Sequence, residues 1–259
     1  VVLLRSLQGW ADTFSAVLAE EGIPAYSVSK SGYFETYEVS VLLDYLKLLD
    51  NARQDLPLTA VLTSPFANMS ASELARIRLA YPNVPFYLAV EQYMQEQDEK
   101  EEEKDEIETG FRDMPENRVK ELDFVAEDSD GTIEDKTGAE KQQETEQKIW
   151  QKLQQFWKKT QEFRRRIPFT AIHDLLTEII EETGYGTYIS AMPGGAQRAA
   201  NVEMLVEKAA AFEGTSYKGL FNFVRYIEQL KKYDVDYGEA SIQDEQADTV
   251  RIMSIHKSK

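Results

Sequence analysis

The apolar positions change rhythm twice along the chain. They begin as two short unbroken runs, settle into helical spacing for most of the length, and return to a strand pattern at the end. Val1–Ser6 reads Val-Val-Leu-Leu-Arg-Ser, an apolar run suited to a short buried strand, tipped by Arg5. Asp12 or Thr13 can cap a helix that runs to Glu21, where Gly22 supplies the usual stop. Ile23–Val28 reads as a second strand, and Pro24 near its start suits a strand entry or a sheet edge. After a polar turn around Gly32, Val39, Leu42, Leu43, Leu46 and Leu49 recur on one helical face. Strand, helix, strand, helix is an α/β beginning.

Beyond Asn51 the pattern is almost entirely helical. Ser70-Ala71-Ser72-Glu73 is a capping box, in which each side chain serves a free backbone N–H, and it opens a helix carrying Leu74 and Ile77. Pro85–Gln95 fits another. Ile149, Leu153, Phe156, Trp157 and Phe163 share a face that Pro168 interrupts. Thr170 is placed to cap a helix with Ile172, Leu175, Leu176, Ile179 and Ile180 inside and Gly184 at its end. Pro193-Gly194-Gly195 marks a turn. Two further helical repeats follow: Val202, Leu205, Val206, Ala209, Phe212, then Leu220, Phe223, Val224, Ile227, Leu230. A polar loop, Asp234–Asp248, leads into a last strand that ends on the basic tip His256-Lys257-Ser258-Lys259.

This layout predicts a fold of α/β plus mainly α type. Residues 1–55 and 248–259 form one α/β unit, and residues 56–247 are a helical insertion. The first and last strands then become neighbours in a parallel sheet, since parallel strands need a crossover and here a whole domain supplies it. Both ends fall inside strand patterns and no Met starts the chain, so the sequence reads as a piece of a larger enzyme.

Composition narrows the classes. Hydrophobic residues make up 42% of the 259 positions, enough for a core. No apolar run is long enough to span a membrane, and no basic-then-apolar signal opens the sequence. The absence of cysteine excludes disulfides and thiolate metal sites, and agrees with a cytoplasmic protein. A net charge of −17 argues against a nucleic-acid partner until it is located. Glu96–Glu146 holds 21 acids against 7 bases, so the rest of the chain carries only −3. That acidic stretch has few large apolar residues and is expected to be flexible or loosely helical for much of its length.

Several segments together carry a family resemblance. Leu3-Leu4-Arg5-Ser6 with Gly22-Ile23-Pro24-Ala25-Tyr26 resembles motif IV of the UvrD-like superfamily 1 helicases. Ser31-Gly32-Tyr33-Phe34-Glu35, then Glu38-Val39 and Leu42-Leu43-Asp44-Tyr45-Leu46, resembles their next segment, and Ile255–Lys259 resembles the start of motif V. Phe34–Ser40, Asp50-Asn51, Pro57–Leu62, Ser64-Pro65, Thr183-Gly184-Tyr185, Pro193–Arg198, Asn201-Val202 and Phe221–Ile227 are most similar to the AddA (RexA) group of helicase–nuclease subunits. The resemblance spans the chain apart from most of Glu96–Glu146. It implies that the α/β unit is part of the RecA-like motor domain 2A and the insertion is domain 2B. It further implies a parent that is an ATP- and Mg2+-dependent 3′–5′ DNA helicase with exonuclease, acting on single-stranded DNA and duplex ends beside an AddB-type subunit. The fragment itself is then expected to be inactive and without bound cofactor.

The resemblance also implies site roles. Arg5, at the tip of a parallel strand, would be the arginine finger on the γ-phosphate, because a planar, permanently charged guanidinium suits growing phosphoryl charge. Lys259 would lie near the nucleotide; Ser254, His256 and Lys257 would meet the DNA backbone. Tyr33 and Phe34 read equally as base-stacking surface or as core. Ala67-Asn68-Met69 stands where compact relatives show Gly-Ile-Gly, which weakens duplex contact there. Lys158, Lys159, Arg164, Arg165 and Arg166 form a basic run that reads as phosphate contact or as a solvated helix face.

No metal site is expected. Asp128–Ile133 resembles the middle of a Ca2+ loop but lacks the end ligands, and His173 has no second His at metal spacing. The alternative function is a protein-interaction scaffold whose acidic stretch docks a basic partner.

Overall fold

Three short parallel strands bring the two ends of the chain side by side. The structure is a computed structural model, and it describes residues 1–5, 10–23, 25–27, 32–112, 138–233 and 250–255. Strand β1 (Val2–Leu4) and strand β2 (Ala25–Ser27) flank strand β3 (Val250–Ser254), giving the order β1-β3-β2. Val2 stands opposite Ile252, Leu4 opposite Ser254, and Ser27 opposite Ile252 from the other side. Ile252, in the middle strand, is wholly buried, while Leu3 on the edge strand turns half of its surface outward. Helix α1 (Ala11–Glu20) connects β1 to β2 and packs on β2 and β3. Gly22, at φ 71, ends it in the left-handed conformation that glycine adopts without strain. The neighbouring end strands expected from the sequence are therefore present, within a chain that is mostly helical.

Contacts divide the chain into two compact units, one of Val1–Ala52 with Glu162–Lys259 and one of Arg53–Gln161. In the first, a 3-10 turn at Tyr33–Glu35 leads into helix α2 (Tyr37–Asp50). The face expected from the sequence is buried, but so are Val41, Tyr45 and Leu48, so α2 is enclosed on most sides rather than amphipathic. Helices α7 (Ile172–Glu182), α8 (Tyr185–Ala191), α9 (Gly195–Glu213) and α10 (Leu220–Lys232) complete this unit, with α9 and α10 against α2. Their buried residues include Leu175, Leu176 and Ile179, then Leu205 and Ala209, then Phe223 and Ile227, as the spacing predicts.

The second unit contains helix α3 (Asp55–Thr63), helix α4 (Ala71–Ala80), helix α5 (Phe86–Arg112) and most of helix α6 (Gly138–Arg166). The predicted capping box is present: Glu73 N–H donates to Ser70 Oγ at 3.3 Å and Ser70 N–H to Glu73 Oε2 at 2.6 Å. Lys152 Nζ joins it, 2.8 Å from Glu73 Oε1, and the hydrogen bonds hold Glu73 below the usual carboxylate range although burial alone would raise it. Helix α3 has no clear sequence signal, because Pro57 interrupts the pattern. Proline is tolerated there because it falls in the first turn, where its missing N–H has no helical partner to lose.

Part of the acidic stretch is helical: Glu96–Arg112 continues α5, and α6 begins at Gly138. The near-miss Ca2+ loop at Asp128–Ile133 and the polar loop Asp234–Asp248 lie outside the described residues. Among the described residues, no helix is long and apolar enough to cross a membrane.

Candidate functional site

Parallel strands point their carboxyl ends to one edge, and open α/β sheets bind ligands beyond that edge. Here the edge carries Arg5, one residue past β1, Ser27 at the end of β2, and Ser254 with Ile255 at the end of β3. Because Leu4 pairs with Ser254, Arg5 and the tip of β3 leave the sheet at the same level. Arg5 is exposed. His256, Lys257 and Lys259 lie outside the described residues. Among the described residues, no three His, Asp or Glu side chains gather as a metal-holding group.

Tyr33 and Phe34 lie elsewhere. Both are wholly buried, with ring centroids 5.1 Å apart in an edge-on arrangement, and neither offers a face to solvent. Tyr33 instead donates its hydroxyl to the carbonyl of Asn201 at 2.8 Å.

That bond belongs to a polar cluster beneath the surface. Glu38, at 2% exposure, sits in the first turn of α2. Its Oε1 accepts from Asn201 Nδ2 at 2.7 Å and its Oε2 from Arg198 Nη1 at 2.7 Å. Arg198 Nε also donates to the Pro193 carbonyl at 3.1 Å. Tyr185 donates to the backbone carbonyl of Glu38 at 2.9 Å, and burial pushes its phenol far above the ordinary value. Burial, then Tyr188 beside it, likewise raises Tyr37. A buried carboxylate is costly unless each oxygen finds a donor, and here both do.

The sequence marked most of these stretches, Glu38-Val39, Thr183-Gly184-Tyr185, Pro193–Arg198 and Asn201-Val202, without giving their polar residues a task. The available signal was an acid at Glu38 directly beside the apolar run of α2; its partners lie 160 and 163 residues away, where spacing is silent.

The remaining candidates are mostly engaged. Arg166 pairs with Glu178 at 3.0 Å and Glu182 at 2.5 Å, and Arg164 Nε donates to the Leu49 carbonyl at 3.2 Å. Lys158 and Arg165 are exposed. At the turn between α3 and α4, Asn68 takes φ 49 and its carbonyl accepts from Lys152 at 2.9 Å. His173 Nδ1 lies 2.5 Å from Glu213 Oε2, and its Nε2 lies 3.3 Å from Asp174.

Known proteins are similar to this sequence along its whole length. A protein of Lachnoclostridium phytofermentans, named as an ATP-dependent helicase/nuclease subunit, is 39% identical over 267 aligned residues, covering 100% of this chain and 19% of that protein. Proteins of the same name from Alkaliphilus oremlandii and Oceanobacillus iheyensis are 36% and 34% identical over the whole chain, which covers 18% and 17% of them. The chain thus spans about a fifth of the length of these relatives. The scaffold alternative gains no support from them. The UvrD-like helicase C-terminal domain matches residues 1–259, and the chain belongs to that family.

Proposed function

We propose that this chain is the second-motor-domain and inserted-domain portion of a cytoplasmic ATP-dependent DNA helicase–nuclease that processes double-strand breaks. In this reading residues 1–55 and 248–259 are part of a RecA-like 2A domain and residues 56–247 are the 2B insertion. The parent moves 3′–5′ on single-stranded DNA, degrades ends with an exonuclease domain, and works beside an AddB-type subunit. The observation that carries the reading is the β1-β3-β2 sheet, whose carboxyl edge gathers Arg5 and the tip of β3.

The chemistry asked of the chain is electrostatic. Bound ATP supplies the phosphoanhydride to be cleaved, and Mg2+ offsets its charge. Arg5 would hold the γ-phosphate as charge spreads over its oxygens, which is the task of an arginine finger and is worth about 10³–10⁵ in rate. Lys259 would stand near the nucleotide. Ser254, His256 and Lys257 would meet phosphates of the DNA strand, so that the same strand end touches fuel and track. An exposed arginine at a parallel-sheet edge fits a phosphate chemically.

Strand displacement by the full-length protein tests the proposal. A duplex with a 3′ single-stranded tail should be unwound only with ATP and Mg2+, and ATP turnover should rise on adding single-stranded DNA. Turnover that ignores DNA would sink the reading.

A further inference from the structure

We infer that Glu38, held by Arg198 and Asn201, is a positioning group that ties the 3-10 turn Tyr33–Glu35 and the start of α2 to helices α8 and α9 and so couples DNA binding to ATP turnover. The inference rests on the proposed function. Three observations lead to it.

The first is the form of the cluster. Each Glu38 oxygen takes one donor at 2.7 Å, which fixes the carboxylate plane. Two buried phenols then pin the backbone of the same residues, Tyr185 on the Glu38 carbonyl and Tyr33 on the Asn201 carbonyl. Side chain and main chain are thus registered together among the 3-10 turn, α2, α8 and α9.

The second is energetic. A buried ion pair seldom outdoes well-packed apolar residues of similar volume in stability, and its best-attested use is to select one geometry. A cluster this complete therefore points to placement.

The third is location. Tyr33 follows β2 in the chain after Gly32, whose φ of 98 opens the 3-10 turn that precedes α2, and β2 ends on the edge that carries Arg5. Since both rings are enclosed, this segment would act on DNA through where it holds the chain, with no direct stacking.

The test uses the full-length protein. Glu38→Gln keeps the shape and removes the charge; Glu38→Gln/Arg198→Met removes both charges; Tyr185→Phe removes one hydroxyl and keeps the ring if the others fail to fold. Basal ATP turnover, turnover saturated with single-stranded DNA and the melting temperature are measured for each.

A fall of about tenfold in the DNA-stimulated to basal ratio is expected, a coupling of ordinary size, with basal turnover retained. In the double variant, a melting temperature near wild type with the ratio still low would separate placement from stability. Variants that melt lower but keep the wild-type ratio would show a purely structural cluster and overturn the inference alone. A wild-type protein whose turnover ignores DNA would overturn the proposed function as well.

Discussion

Gly195 occupies a point where a side chain has no room. A Cβ there would lie 2.0 Å from the Ser190 carbonyl oxygen, backbone that cannot swing aside. Gly194 before it takes φ 71, so the pair turns the chain sharply and starts α9 close against α8. Gly195→Ala should lower stability by about 2 kcal/mol through forced separation of the two helices. Gly214→Ala, where the new carbon would meet Ala211 at 3.3 Å without a positive φ, should be much milder. Chemical denaturation of the two variants would check this, and equal stabilities would contradict the packing. The sequence marked a turn at Pro193-Gly194-Gly195 and nothing more. Which glycine serves conformation and which serves close approach depends on Ser190, five residues upstream and on another helix.

Two helices in this chain are capped from a distance. Asp55 accepts the N–H groups of Phe86 and Tyr87 at 2.9 and 3.0 Å, closing the start of α5 from the start of α3. Glu213, at the end of α9, accepts the N–H of Ile172 at 2.6 Å and meets His173 Nδ1 at 2.5 Å, so it caps α7. The sequence assigned that cap to Thr170, the nearest suitable side chain. The structure places Ala171 at the cap position without a side-chain bond of its own, since the remote carboxylate fills the need.

The clasp carries a pH dependence. The hydrogen bond to Glu213 raises His173 above its ordinary 6.5, with Asp174 adding to it. Burial alone would raise Glu213, but the bonds from His173 and Ile172 outweigh it and hold it below its ordinary 4.5. The histidine's contribution is full below pH 6.5 and lost as pH rises through its raised value; the carboxylate's is full above pH 4.5 and lost as pH falls through its lowered value. Solvent screens the partly exposed histidine, so the effect is small and local. Hydrogen exchange at the first amides of α7, corrected for intrinsic rates, should slow between these limits and quicken toward alkaline pH. His173→Gln should abolish the alkaline change. An unchanged pH profile in that variant would contradict the clasp. Apolar periodicity made the helix faces legible, whereas these caps depend on side chains 31 to 41 residues away.

At the scale of the molecule, the parallel sheet was the most legible feature. Two apolar runs separated by a helix, and a third at the far end, leave a parallel arrangement as the economical way to bury all three. The chain realises it with β3 between β1 and β2. Division of the helical part was less legible. The compact units part at Ala52/Arg53, close to where the sequence starts the insertion, and at Gln161/Glu162, inside what the sequence treats as one insertion, and α6 contributes residues to both. One amphipathic pattern runs through α6 across that boundary, because a continuous helix keeps its periodicity whatever packs on it. The place of Arg5, one residue past β1, was legible because it follows from strand polarity. That of Tyr33 and Phe34 was not, because their exposure depends on α2 and α9.

The central claim is that Arg5 acts on the nucleotide from the sheet edge formed by the two ends of the chain. Pre-steady-state ATP hydrolysis by the full-length protein carrying Arg5→Ala, with nucleotide binding measured in parallel, addresses it most directly. Hydrolysis should fall by about 10³-fold or more while nucleotide affinity changes little. Hydrolysis at the wild-type rate in a variant that still binds nucleotide and DNA would contradict it.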